Sequence, residues 1–145
     1  MRIEALTVAL CLAACRGPEV GVRIVLPTDG DQVHDSLVRV QLDATGIEIA
    51  PAAEQRAGTA HHHLFLDTEV TPAGDTIPAG TTGILHLGRG QAEFTFDNMT
   101  PGAHRLIAVL ADAWHVVHPS WRTDTVRIIV EAARPAMAPA PNPVP

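Results

Sequence analysis

The chain has no tyrosine, three phenylalanines, two tryptophans and only two cysteines. So few aromatics leave no base-stacking platform of the kind that single-stranded nucleic acid needs. A formal net charge of -6 excludes a phosphate-holding surface in the same way, because such a surface takes clustered Lys and Arg. Both cysteines, Cys11 and Cys15, lie at the start of the chain. The remainder therefore has no disulfide and must stand on an apolar core. A nucleophile elbow, a phosphate loop and a metalloprotease helix motif are all missing. An enzyme would need an open metal position with a base such as Glu93 or Asp112 beside a histidine, and the reading is that the protein is not an enzyme.

What is present begins with a leader. Arg2 precedes an apolar run over residues 5–14, broken only by Thr7 and ending in Leu12-Ala13-Ala14-Cys15. The run is too short to span a bilayer and has the form of a secretory signal. Its ending resembles a bacterial lipobox, which makes residues 1–15 a lipoprotein-type signal peptide and Cys15 the lipidated residue. An ordinary secretory leader is the alternative. The expected protein is exported and anchored by lipid on the periplasmic face of a bacterial membrane, with an envelope protein as a possible partner. Residues 16–19 read as a short linker, 20–131 as one domain, and 132–145, which alternate Ala and Pro, as a disordered spacer.

Within the domain, seven β-branched-rich runs are separated by Gly, Pro and Asp turns: residues 22–26, 37–42, 62–66, 83–87, 92–96, 105–111 and 123–130. No helical period competes with them. The pattern predicts an all-β fold, an immunoglobulin-like β-sandwich of about seven strands, with a small barrel as alternative.

The histidines carry the chemistry. His61, His62 and His63 are consecutive, and His115 and His118 stand three apart. Neutral imidazole is the commonest protein ligand of transition metals. In the predicted topology the loops after the second, fourth and sixth strands share one end of the sandwich. That end collects His61–His63 at the start of the third strand, His86 at the close of the fourth, and His115 and His118 after the sixth. His34 and His104 belong at the opposite end, where His104 should pack at a turn or bond backbone.

Strand alternation separates the triplet. His61 and His63 share a face with Phe65, while His62 goes with Leu64 and Leu66 towards the core. The candidate metal ligands are therefore His61, His63, His115 and His118, with His86 as a fifth. Imidazoles without thiolate or paired carboxylate suit a copper or zinc ion rather than calcium or magnesium. Asp112 and Gln91 are candidates to orient the imidazoles from behind. Trp114 and Trp121 either wall a pocket or pack as a cap.

The residues also carry a resemblance. His61-His62-His63-Leu64 with Asp67, then Pro72, Gly74 and Ile77-Pro78, then His86-Leu87-Gly88-Arg89-Gly90-Gln91, Pro101-Gly102-Ala103-His104, and Asp112 with His115 and His118 resemble domain-of-unknown-function family 4399 over about residues 20–130. The resemblance implies a bacterial, exported, small β-rich domain and no known activity. The chain departs from the family pattern beside the last histidines, where its only proline is Pro119. Two readings follow: a metal-binding domain, or a non-catalytic envelope module that binds protein or glycan and uses its histidines structurally.

Overall fold

A computed structural model describes residues 19–34 and 36–132. The leader, Cys15, most of the linker and all but the first residue of the tail lie outside that span.

All seven expected strands form, joined by two short additions: β1 (Gly21–Leu26), β2 (Gln32–Val33), β3 (Val38–Thr45), β4 (Glu48–Ile49), β5 (Thr59–Leu66), β6 (Ile84–Leu87), β7 (Glu93–Phe96), β8 (Gly102–Asp112) and β9 (Asp124–Val130). One three-residue 3-10 turn, Ala52–Glu54, follows β4. The strands divide into a three-stranded sheet, β1-β3-β7, and a larger sheet in the order β2-β9-β8-β5-β4, with β6 pairing β5 beside β4. Two separate sheets packed face to face make the fold an immunoglobulin-like sandwich rather than a closed barrel.

Alternation explains the packing. β3 and β9 send every second side chain inward: Val38, Val40 and Leu42 from one sheet meet Val126, Ile128 and Val130 from the other. Their intervening Arg39, Asp43 and Arg127 face solvent. Leu64, Leu87, Leu106 and Leu110 complete this inner core, at roughly 1.5–3 kcal/mol for each aliphatic side chain fully removed from water.

β5 breaks the alternation, since seven of its eight residues are buried. The cause is a second apolar cluster on the outer face of the larger sheet, made of Phe65, Ile77, Ile107, Val109, Ala111 and Val117. The long loop between β5 and β6 folds back over that face and joins the hairpin after β8. Gly74 N donates to Val117 O at 2.7 Å, Ile77 N to His115 O at 2.8 Å and Val117 N to Asp75 O at 3.1 Å. A strand covered on both faces has no solvated side to keep polar.

Candidate metal centre

The three histidines of β5 divide by parity as expected. His62 enters the inner core, 1 % exposed, and donates from Nδ1 to the Gln91 carbonyl at 3.2 Å. His61 and His63 point to the outer face, where cross-strand pairing sets their surroundings. His61 lies opposite Ala111 and His63 opposite Val109 on β8, and on the other side His63 lies opposite His86 on β6.

His115 reaches the same place by a strained turn. Its N–H donates to Asp112 O at 2.9 Å, Asp112 Oδ1 accepts from Trp114 N and Val116 N at 2.9 Å each, and Val117 bridges back to Ala111. This is a three-residue hairpin loop closed by a residue with positive φ, a position usually held by Gly or Asn. His115 occupies it at φ 66°. Non-glycine residues pay roughly 1–2 kcal/mol there, and such strain concentrates at functional sites.

Four imidazoles result. The ligand nitrogens of His61, His63, His86 and His115 all lie within 4.8 Å of one another. His63 Nε2 and His61 Nε2 are 3.0 Å apart, and His115 Nε2 and His86 Nε2 are 3.2 Å apart. Four nitrogens each about 2.0–2.1 Å from one ion would stand about 3.3–3.4 Å apart in a tetrahedron, or about 2.9 Å between neighbours in a square plane. The donor set suits a transition-metal ion, and its two closest pairs already have ligand spacing, while pairs as far as 4.8 Å apart would have to close in by up to about 1.4 Å for a tetrahedron. Without an ion, each 3.0–3.2 Å contact needs one ring to hold the proton and the other to accept it.

Burial shapes the electrostatics. His61 and His63 are 1 % and 2 % exposed. Burial, followed by the neighbouring His115 and His86, pushes His61 down to about 4, with Asp112 pulling weakly the other way. Burial and the three other rings depress His63 as well, and burial with His115 depresses His86. These imidazoles stay neutral at pH 7, which is the form a metal takes up. His63 Nδ1 and His62 Nε2 are buried without a hydrogen-bond partner among the described residues.

Two supports of the site were not legible in the sequence. A Cβ on Gly88 would lie 2.2 Å from His86 Cε1 and 2.3 Å from its Nε2, so only glycine there leaves room for the ring. A cavity of about 110 Å³ also opens beside the group, lined by His63, His86, His115, Ile77, Pro78 and Ile84, with Ala79 and Gly80.

The structure does not bring His118 to the group. Past the Val117 bridge the chain turns away, and His118 stacks on Trp121 at 4.9 Å and meets Ser120 Oγ through Nδ1 at 3.0 Å. His86 takes the fourth place. The group also forms on the outer face of the larger sheet, not among loops at the rim of the sandwich. Asp112 shapes the His115 hairpin without bonding an imidazole, and Gln91 serves His62 instead. Glu93 is on the other sheet, paired with Arg39 at 2.7 Å and Gln41 at 2.9 Å. His34 pairs with Glu131 at 2.8 Å. His104 faces Asp67 Oδ2 through Nδ1 at 2.7 Å and the Thr100 carbonyl through Nε2 at 2.8 Å, a turn clasp rather than a ligand. Trp121 packs on the inner core, while Trp114 is 54 % exposed.

Comparison with known proteins bears on the fold. A family model described as a domain of unknown function (DUF4399) matches residues 40–131. No curated protein matches the chain. Among solved structures, the fibronectin(III)-like modules of Clostridium thermocellum CbhA align with a TM-score of 0.50 at 14% identity, covering 78% of this chain and 99% of theirs. The PKD domain of human KIAA0319 aligns with a TM-score of 0.41 at 13% identity, covering 92% and 100%. A Pyrococcus furiosus CARDB domain, in complex with di-metal ions, aligns with a TM-score of 0.37 at 14% identity, covering 79% and 94%. At 14% identity the likeness to the CbhA modules is one of fold.

Proposed function

The chain belongs to the DUF4399 family, and from that premise we propose that it is an exported, lipid-anchored domain whose role is to bind a copper or zinc ion through His61, His63, His86 and His115. The observation that carries this reading is the convergence of four imidazoles from two strands and one hairpin, with every ligand nitrogen within 4.8 Å of the others. Two of them are held nearly solvent-free and neutral, which favours metal over proton. Four nitrogen donors without thiolate suit Cu(II) and Zn(II), and the stability order favours copper where both are available. The leader at Arg2 to Cys15 supports export and anchoring. Binding rather than catalysis is the proposed role, with no nucleic-acid partner given the net charge of -6.

The alternative envelope module has less support. A recognition surface built on two tryptophans would need both exposed, and Trp121 is packed on the core and against His118.

Calorimetric titration of Cu(II) and Zn(II) into untagged protein tests the reading, beside a His86→Ala/His115→Ala variant and a His34→Ala/His104→Ala control. Stoichiometric binding lost only in the first variant is expected. Weak binding of equal strength in all three would overturn it.

A further inference from the structure

The cavity beside the four histidines is not needed to hold an ion. Three of the four rings, His63, His86 and His115, form part of its wall, and His61 does not. An ion at the centre of the group would thus be screened by protein on the His61 side and approachable from the side where these three rings meet the cavity. The rest of the wall is Ile77, Pro78 and Ile84 with Ala79 and Gly80. Four protein nitrogens already complete a tetrahedral zinc site, whereas a tetragonal Cu(II) centre can take a further ligand on an open face.

Charge says what would enter. Four neutral imidazoles cancel none of the charge of a divalent ion. The acid whose charge reaches His61 is Asp112, and its Oδ1 already accepts two backbone N–H groups. A divalent charge in a half-buried apolar setting is costly until an anion meets it. Size restricts the anion: 110 Å³ is roughly three to four water volumes. The aliphatic wall adds a second restriction. It supplies no charged group and no side-chain hydrogen bond, so strongly hydrated dianions such as sulfate would lose more on entry than they recover.

We propose that the copper-loaded centre keeps one coordination position open towards this cavity and takes there a small, weakly hydrated monoanion of two or three heavy atoms, resting its far end on Ile77 and Ile84. This rests on the metal-binding reading above and makes the site a metal-dependent receptor for small anions rather than a closed structural centre.

Azide is the probe. The full chain loaded with one equivalent of Cu(II) is titrated with azide, and the azide-to-copper charge-transfer absorption in the near ultraviolet is followed, with sulfate as competitor. A saturable band of one azide per copper, unaffected by sulfate, is expected. Two variants narrow the cavity and keep all four histidines: Ala79→Trp, at an exposed position that tolerates bulk, and Ile84→Phe. Each should weaken azide at least tenfold while Cu(II) affinity stays within about threefold. Stoichiometric copper binding with no azide band would overturn the open position and leave the metal site standing. Azide binding unchanged in both variants would place the anion elsewhere and overturn the cavity assignment. Failure of copper to bind in the first place would remove the metal reading and this one together.

Discussion

The imidazole of His86 occupies the space that a side chain on Gly88 would take, with a Cβ there only 2.2 Å from Cε1 and 2.3 Å from Nε2. Gly88→Ala must therefore drive the His86 ring away. Because His86 is exposed, the fold should survive with little change in melting temperature. Zinc affinity should fall by roughly tenfold or more, the scale on which misplaced metal ligands are felt. A titration showing unchanged affinity would mean that His86 is not a ligand.

His115→Gly separates stability from binding. Glycine adopts positive φ freely, so the substitution relieves the strain at φ 66°. The metal-free variant should be equally stable or up to about 1 kcal/mol more stable, a few degrees in melting temperature. Metal binding should weaken sharply in the same protein. A large loss of stability without metal would show that the imidazole itself holds the hairpin.

Acid should destabilise the metal-free protein in a defined window. His61 ionises near 6.5 when unfolded and is held down to about 4 by burial when folded. Between those values the unfolded chain binds the extra proton, so stability is fully present above about pH 6.5 and is lost as pH falls towards 4. The contribution is on the order of 3 kcal/mol. His104 acts with the opposite sign. Burial opposes its ionisation, but the Thr100 carbonyl and the Asp67 carboxylate outweigh burial and raise it. Its contribution is fully present below about 6.5 and fades as pH rises through its folded value. Urea melts of the wild type and His61→Leu from pH 4 to 8 check this, and a parallel pH slope in both proteins would rule out His61 as the source.

His62→Leu tests parity. It removes a buried nitrogen that has no partner among the described residues, at the cost of the bond to the Gln91 carbonyl. Metal stoichiometry and affinity should match the wild type, because residue 62 faces the inner core. Loss of binding without loss of fold would mean that the strand presents its other face to the metal.

Much of this was legible in the residues themselves. β-branched runs between Gly and Pro turns marked seven strands, and the alternation of His61, His63 and Phe65 against His62, Leu64 and Leu66 assigned the faces of β5. What could not be read was the cover on the outer face. Residues 67–83 have no periodic pattern, and Ile77 becomes part of a core only because backbone bonds to His115 and Val117 fold the loop back. The sequence ranked His118 ahead of His86, where the structure groups His86 instead, for a related reason. Spacing pairs His115 with His118, but Asp112 closes a three-residue hairpin between them and β8, and Val116-Val117 then run back along the sheet. An Asp at the start of a short loop followed by a β-branched pair is the signal that would have revealed it.

β5 is hydrogen bonded along both edges, to β8 on one side and to β4 and β6 on the other, and lies between two apolar clusters. Such a strand is among the last parts of a protein to open. His61 and His63 are thus fixed anchors, whereas His86 is exposed and His115 rides on a hairpin tip. An ion bound there would be released by displacing the outer pair rather than by unfolding, so binding and loss of metal would leave the scaffold intact.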